Sequence, residues 1–600
     1  MPYAIQKPVN IAKSKKITLG AIEGQNNATL QQLLNTNQAT EIVNYLIREQ
    51  GKIEKRKGSK TLGQVTSNLP GLIILDFNAD YIIFGYGTVL ASINKSTGSI
   101  TSIKTDFITN LEDIVRYGAY AYSCNGTGNK IYRTYLALDY DGQSANFAVG
   151  QILTGGTSGA TALIVYDADA GATGTLTLDN ISGTFQNNEA ITDSATGAAV
   201  ANGVVKWVTE EISGSPYCTR LAIYEKRLIA GNIVKGSLSA PWRAIASDED
   251  TVAPYFDSWT QLADATKGFL LDYGKAGELT DIAIFDQSDK SSPAQIVIFY
   301  KDGYASFLRT VSDIGGTMSQ DLQTFFDPIN AGGERGANTT PFGIHFGNEN
   351  GEYLLQRDGR LINLTSSFGD FSLINNTNSD RVYLERYNIL LTTTAYDSDK
   401  NNIIYWFDTR TLNKKVSWGM ITGLSIARFV KSGDKVYGIS SNSPKIIELF
   451  PDNIYDDDGS PVEYKYKQPM NVGSLDSLKD LVRVDIGAFL TSNQPININF
   501  DAIPEGGGSE EDVVSYELLN NGGSVLMSGY GSSGYGTSGY VSTPENNGLL
   551  WTTAYGDSKK AYGYMLYILK IQGIDTSPHI ISFVSIDTVE QRRQRSNLLT

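Results

Sequence analysis

The sequence predicts a mainly β protein: a β-propeller, a small β domain inserted into it, and a C-terminal β-sandwich-like domain. Three observations carry this prediction. Runs of four to eight β-branched and aromatic residues recur along the chain, each bounded by Gly, Asp, Asn or Ser, as in LIILDFNADYIIFGYG (72–87) and QIVIFYKDGYASF (295–307). Sixty glycines and 34 tyrosines set against 49 Lys plus Arg favour many short strands and turns over long helices. The composition also changes abruptly, at 144–208 and again at PDNIYDDDGS (451–460).

The first 65 residues read as a separate docking segment. ATLQQLLNTNQATEIVNYLIREQ (28–50) has helical spacing at Leu30, Leu33 and Leu34, with Thr29 or Thr36 as cap. A basic hairpin follows, Lys52, Lys55, Arg56 and Lys57, bracketed by Gly51 and Gly58. In an acidic chain it is either a solvated turn or a docking surface for an acidic partner.

The propeller is expected over 66–143 and 209–450. Strands near 72–77, 80–85 and 88–94 form a meander, the unit of a blade. Equivalent units recur at 114–137, 221–309, 344–364, 387–420 and 425–450, which gives five to seven blades. Residues 144–208 interrupt this series. FAVGQILTGGTSGATA (147–162) aligns with FQNNEAITDSATGAAV (185–200) at a constant offset of 38 residues, matching Phe147 to Phe185, Leu153 to Ile191 and Thr154 to Thr192. This predicts two related hairpins in one inserted domain, serving as a surface ornament or subunit contact; no clustered Trp supports a sugar site. Residues 455–600 alternate strands around the glycine-rich stretch 522–542 and read as a sandwich.

Composition narrows the function. Formal net charge is −15, which opposes a nucleic-acid clamp but suits a conduit that must not adhere to a polyanion. No apolar run reaches the roughly 18 residues of a membrane span, and the N-terminus lacks the apolar core of a secretory signal. Cys124 and Cys218 read as free thiols in a reducing compartment. With only His345 and His579, a histidine-ligated zinc site is excluded, and no nucleophile elbow or P-loop string occurs. No cofactor is expected. The leading candidate metal set is Asp397, Asp399, Asn401 and Asp408, at positions 1, 3, 5 and 12 of an EF-hand-like loop; Asn402 stands where Gly belongs, and the segment reads equally as a hairpin turn, while Asp456-Asp457-Asp458-Gly459 is a weaker set whose position 12 would be Lys465. SDEDTVAPYFDSW (247–259) gathers Asp248, Glu249, Asp250 and Asp257 beside Tyr255, Phe256 and Trp259. A glycosidase pair is conceivable there, but the repeated turn signature of propeller sialidases is missing, and a loop capping the propeller is the favoured reading.

NYLIREQGKIEKRKGS (44–59), with Asn44, Gly51, Lys55, Arg56 and Gly58, resembles the N-terminal pattern of the tail tubular or nozzle proteins of short-tailed bacteriophages. RLAIYEKRLIAG, PWRAIASDED and DSWTQL resemble a blade of that family, and ELTDIAIF, IVIFYKDG, DDDGSPVEYKYKQP and the glycine-rich stretch before GLLW extend the resemblance over most of the chain, leaving 144–208 outside it. The resemblance implies a non-enzymatic virion component, made in the host cytoplasm and placed at the distal end of the tail. There a homo-hexameric ring would extend the DNA channel beyond the portal and adaptor, contact tail fibres, retain packaged DNA and pass it on ejection without binding it specifically. Under this resemblance Lys52, Lys55, Arg56 and Lys57 are the joint to the adaptor. Six copies would carry about −90 formal charges, a repulsive wall for DNA that subunit interfaces must overcome. The alternatives are a tail-associated receptor- or glycan-binding propeller and a carboxylate glycosidase using Asp250 or Asp257.

Overall fold

The computed structural model describes residues 15–18, 23–26, 28–29, 34, 37–48, 52–224, 226–250, 252–260, 270–272, 277–285, 295–301, 305–312, 318–325, 336–348, 350–368, 374–470, 478–490, 496–504, 511–520, 525–528, 550–555, 564–575 and 577–591. Among these, seven four-stranded antiparallel blades form a ring. Blade 1 comprises Gly71–Asp76, Tyr81–Tyr86, Val89–Asn94 and Ile100–Lys104; blade 2, Asp113–Tyr117, Tyr120–Cys124, the start of Tyr132–Ala145, and Lys206–Glu211. Blade 3 runs from Tyr217–Tyr224 to Leu270–Asp272, blade 4 from Leu279–Ile284 to Met318–Phe325, blade 5 from Asn338–Thr340 to Leu361–Asn363, and blade 6 from Ile374–Leu384 to Trp418–Ile421. Blade 7 takes three strands, Ile426–Ser432, Lys435–Ser440 and Lys445–Leu449, and borrows its outermost strand, Ser59–Gln64, from near the N-terminus. Each innermost strand touches the next, and the seventh touches the first, so the ring closes.

Burial on both blade faces explains why the strand runs are continuously apolar rather than alternating. Tyr81–Tyr86 is almost wholly buried because Ile83 packs toward blade 2 while Ile82 and Phe84 pack toward Tyr437, Ile439 and Ile446 of blade 7. Burying one such Ile contributes about 1.5–3 kcal/mol. Blades 1 and 7 approach so closely that a Cβ on Gly71 would lie 2.2 Å from the Ile439 side chain.

The insertion is a closed barrel. The far end of Tyr132–Ala145 leaves blade 2 and pairs with Gly174–Ser182; the circuit continues through Thr161–Asp169, Ile152–Gly155, Ala190–Asp193 and Ala198–Ala201 back to Tyr140 and Asp141. The 38-residue repeat is its symmetry. Thr154 pairs with Thr192 and Leu138 with Leu176, each pair separated by that offset, so a pseudo-two-fold axis passes through both. Phe147 and Phe185, and Leu153 and Ile191, fill the core as related pairs. Closure removes the exposed edges that two separate hairpins would leave.

The two ends of the chain build the remaining domain together. One sheet runs Glu41–Val43, Ser460–Met470, Tyr564–Asp575, Ile496–Pro504, Glu511–Asn520 and Val525–Ser528. The other runs Leu550–Tyr555, Leu478–Leu490 and His579–Gln591, whose far edge takes Lys15–Thr18 and Ile53–Lys55, with Tyr45–Ile47 beyond. Tyr464, Ile498, Phe500 and Ile571 meet Tyr45, Ile53, Ile581 and Val584 in a shared core. The separate segment expected over 1–65 is therefore corrected: its described strands belong to the sandwich up to Lys55 and to blade 7 from Ser59. The helix expected over 28–50 is corrected too. Residues 41–43 and 45–47 are strands joined at Asn44, which adopts a left-handed φ of 56°, and residues 30–33 and 35–36 lie outside the described residues. Tertiary pairing to residues more than 400 positions away overrides the local helical spacing. No helix among the described residues is long and apolar enough to cross a membrane.

Candidate functional site

The basic hairpin is where the bodies meet. Tyr45–Ile47 and Ile53–Lys55 pair as an antiparallel hairpin, and the chain then passes Arg56, Lys57 and Gly58 into the last blade. Lys55, Arg56 and Lys57 are buried, at 0%, 1% and 7% exposure. Arg56 uses its whole guanidinium. Nε donates to Asn44 Oδ1 (2.8 Å), Nη1 to Lys57 O and Asp457 Oδ1 (both 3.0 Å), and Nη2 to Asp457 Oδ2 (2.6 Å) and Thr422 O (3.2 Å). Asn44 completes the lock: its Oδ1 also accepts from Thr422 N, and its Nδ2 donates to Thr422 Oγ1 and Glu463 O. Thr422 follows blade 6, Asp457 precedes the sandwich strand 460–470, and Ser59 begins the outer strand of blade 7. One bidentate pair thus ties three chain segments. Gly58 is required, because a Cβ there would lie 1.8 Å from Asp456 O.

Lys55 is the second tie. Its Nζ donates to both the carboxylate and the carbonyl of Asp575 and to Ser577 O, and sits 5.7 Å from the Tyr464 ring centre. Burial lowers its pKa against the opposing pull of Asp575. His579 lies alongside, bonded to the Tyr45 hydroxyl at 2.8 Å, and burial pushes its pKa down to about 3, so the ring is neutral. Lys57 pairs with Asp452 at 2.5 Å. The docking role expected of Lys55, Arg56 and Lys57 is therefore corrected: their charges are consumed inside the chain. Lys52, half-buried, is not among them. Of the residues carrying the family resemblance here, Asn44, Lys55, Arg56 and Gly58 all belong to this lock, while Gly51 lies outside the described residues.

The propeller axis is the second feature. A cavity of about 430 Å³ is lined by the innermost strands, including Asp113, Asp281, Asp380 and Arg428. Polar residues of these strands clasp the neighbouring blade. Asp113 accepts from Leu221 N (2.9 Å), Arg220 Nε donates to Thr280 O (2.7 Å), Asp281 accepts from Ala337 N (2.8 Å), Asn338 donates to Arg381 O, and Asp380 accepts from Phe429 N (2.6 Å). Desolvation raises the pKa of Asp281 and of Asp380. A further buried network joins blades 5 and 6: Glu352 takes Arg381 in a fork (2.6 and 2.7 Å) and His345 at 3.0 Å. Burial alone would raise Glu352, but Arg381 outweighs it and holds the carboxyl at about 2. Sequence reasoning missed both arrangements. The only trace of the clasps is a polar residue before an apolar run, as in DIVRY, RLAIY and DIAIF.

The calcium reading does not survive. Asp397 and Asp399 sit in the turn between strands Ile389–Tyr396 and Ile403–Asp408, whereas Asp408 pairs with Ile389 at the opposite end, roughly 17 Å away at strand rise. There Asp408 holds Arg410, while Asn401 donates to Asn378 O and Ala427 O. No cluster of three or more potential metal ligands occurs among the described residues. The acidic loop 247–259 is a packed cap. Asp250 accepts from Val252 N and Phe256 N, Asp257 pairs with Arg133, and Asp248 accepts from Ser258 Oγ and Thr260 N. Phe256 is fully buried, and Trp259 packs on the same core while donating to Phe256 O.

No protein-family model matches the chain, and no curated protein matches it. Among solved structures it is similar to Saccharomyces cerevisiae Sqt1 (11% identity, 66% of this chain and 100% of that one, TM-score 0.35) and to BamB from Moraxella catarrhalis (10%, 74% and 99%, TM-score 0.29). It is also similar to the computationally designed Ika8 protein (8% identity, 65% and 99%, TM-score 0.31). The chain is a nearly all-β protein built on a β-propeller.

Proposed function

We propose that this protein is a non-enzymatic structural subunit of a short-tailed phage virion, assembling as a homo-hexameric ring at the distal end of the tail. The ring extends the DNA channel below the portal and adaptor, retains packaged DNA and lets it pass on ejection. The observation that carries the reading is the lock. The residues behind the family resemblance, Asn44, Lys55, Arg56 and Gly58 from one end of the chain, meet Asp457 and Asp575 from the other. They tie a propeller to a sandwich made by both chain ends through buried, hydrogen-bonded charges. That arrangement suits a subunit in which one body forms the channel wall and the other decorates it. The net charge of −15 suits a wall along which DNA slides without counterion-release binding. Of the carboxylates of 247–259, the site of the glycosidase alternative, Asp248 and Asp250 hold their own loop, while Glu249 pairs with Lys226 and Arg227 and Asp257 with Arg133.

The test is native mass spectrometry of the full chain together with cryo-EM of particles containing it. A six-fold ring at the tail tip is expected. A monomer under every condition, with no ring density in particles, overturns the proposal.

A further inference from the structure

The lock leaves a question of charge: where an acidic subunit can touch its neighbour. Accessible positive charge gathers at one corner of blade 6, assembled from three separate segments. Arg48 and Arg386 flank the same Tyr387 ring, at 5.8 and 5.7 Å. Arg410 is anchored beside them by Asp408 and by Ile47 O, and the loop after it exposes Lys414 and Lys415. The local carboxylates are already taken: Glu54 by Arg48, Asp408 by Arg410, Asp452 by Arg386 and Lys57, and Glu385 by Lys431. Lys414 and Lys415 have no carboxylate partner among the described residues and are surplus charge in a chain of net −15.

The complementary surface lies on the inserted barrel. Asp139, Asp141, Asp167 and Asp169 come, at one level of it, from the two strands that flank Gly174–Ser182: Asp139 pairs with Thr175, and Asp167 and Asp169 with Leu176 and Gly174. Lys206 answers Asp139 alone. Burial and the nearby Asp169 raise the Asp167 pKa, against a hydrogen bond from the Tyr140 hydroxyl. Asp139 marks the junction with blade 2, paired with Lys206 at the start of that blade's outermost strand, and Asp141 and Asp169 lie farther out: the last pair with the blade is Ala137 with Lys206, while Tyr140 has moved on to Gly174. Blades 2 and 6 lie on nearly opposite flanks of the seven-blade ring.

We infer that the basic corner of blade 6 docks a second copy of this chain, receiving the acidic end of that copy's inserted barrel. Because the two surfaces differ and sit on opposite flanks, the contact is head-to-tail. Such contacts propagate around a ring and do not stop at a dimer. Charge complementarity sets the register and speeds encounter, and salt weakens it. The inference rests on the ring reading above, and its test separates the two.

The full-length protein is compared with K414E/K415E, with D141K/D169K and with the variant carrying all four changes, by native mass spectrometry and sedimentation at low and high salt. Wild type is expected to form rings that weaken with salt. Each double variant should assemble roughly tenfold or more weakly, and the fourfold swap should restore assembly. Wild-type rings that K414E/K415E matches overturn this contact and leave the ring reading standing. Loss without rescue by the swap overturns the barrel as counter-surface; fluorescence anisotropy on a DNA duplex, with binding abolished by K414E/K415E, then identifies a polyanion as the occupant instead. A wild-type chain that stays monomeric at every concentration overturns the ring reading and this contact with it.

Discussion

Two cationic clusters among the described residues, the lock at Lys55–Arg56–Lys57 and the corner at Arg48, Arg386, Lys414 and Lys415, invert the expectation that contiguous charge is accessible charge. The lock is a run in sequence and buried in space. Its charges face Asp575, Asp457 and Asp452, which lie about 400–520 positions along the chain. The corner is scattered over residues 48–415 and open to solvent in its lysines. Their physical roles differ accordingly. A buried, fully hydrogen-bonded pair is costly to break because an unpaired charge is left behind, whereas an exposed lysine adds little to folding and acts through association rate and partner choice.

The largest effect separating the two is expected from Arg56→Ala. It takes both guanidinium bonds from the Asp457 carboxylate, leaving it the Ser59 hydroxyl, and should cost about 3–5 kcal/mol in denaturant unfolding. A loss under 1 kcal/mol would mean the lock is not what joins propeller to sandwich. Next is the acid limb. Glu352 is held at about 2 by Arg381, below an unfolded value of about 4.3. A carboxyl depressed in the folded state contributes stability that is fully present above the unfolded pKa and is lost as pH falls toward the folded one. Stability should therefore drop between about pH 4.5 and 2, by up to about 3 kcal/mol from this group. Glu352→Gln should flatten that limb while lowering stability at pH 7, and a limb unchanged by the substitution would reassign acid sensitivity to other carboxylates. The smallest effect on folding is expected from K414E/K415E, within about 0.5 kcal/mol of wild type. A larger loss would show that the corner, like the lock, is structural.

Several parts of this architecture are legible residue by residue. The two-sided apolar runs of blades, such as YIIFGY and IIYWFD, announce strands buried on both faces. The 38-residue offset carries the pseudo-symmetry of the barrel: the matched pair Thr154 and Thr192 lies on the axis itself. The position of Asn44 between two short strands is less legible, because 28–50 has helical spacing while its partner strands are over 400 residues away. The lock is least legible of all. A Lys-Arg-Lys run has the same composition whether it faces water or three carboxylates, and no local pattern states which.

By itself the sequence determined the secondary structure of the blades and the barrel, because strand formation and turn chemistry depend on residues close together in the chain. It also determined the acidic balance that bears on what the surface can touch. Only the tertiary structure decided that Ser59–Gln64 closes the seventh blade, that the two chain ends form one domain, and that Arg56 meets Asp457. Those outcomes depend on sheet edges and charges that need partners, supplied by residues hundreds of positions away. The need for a partner is local, but which residue meets it is settled only when the whole chain has folded.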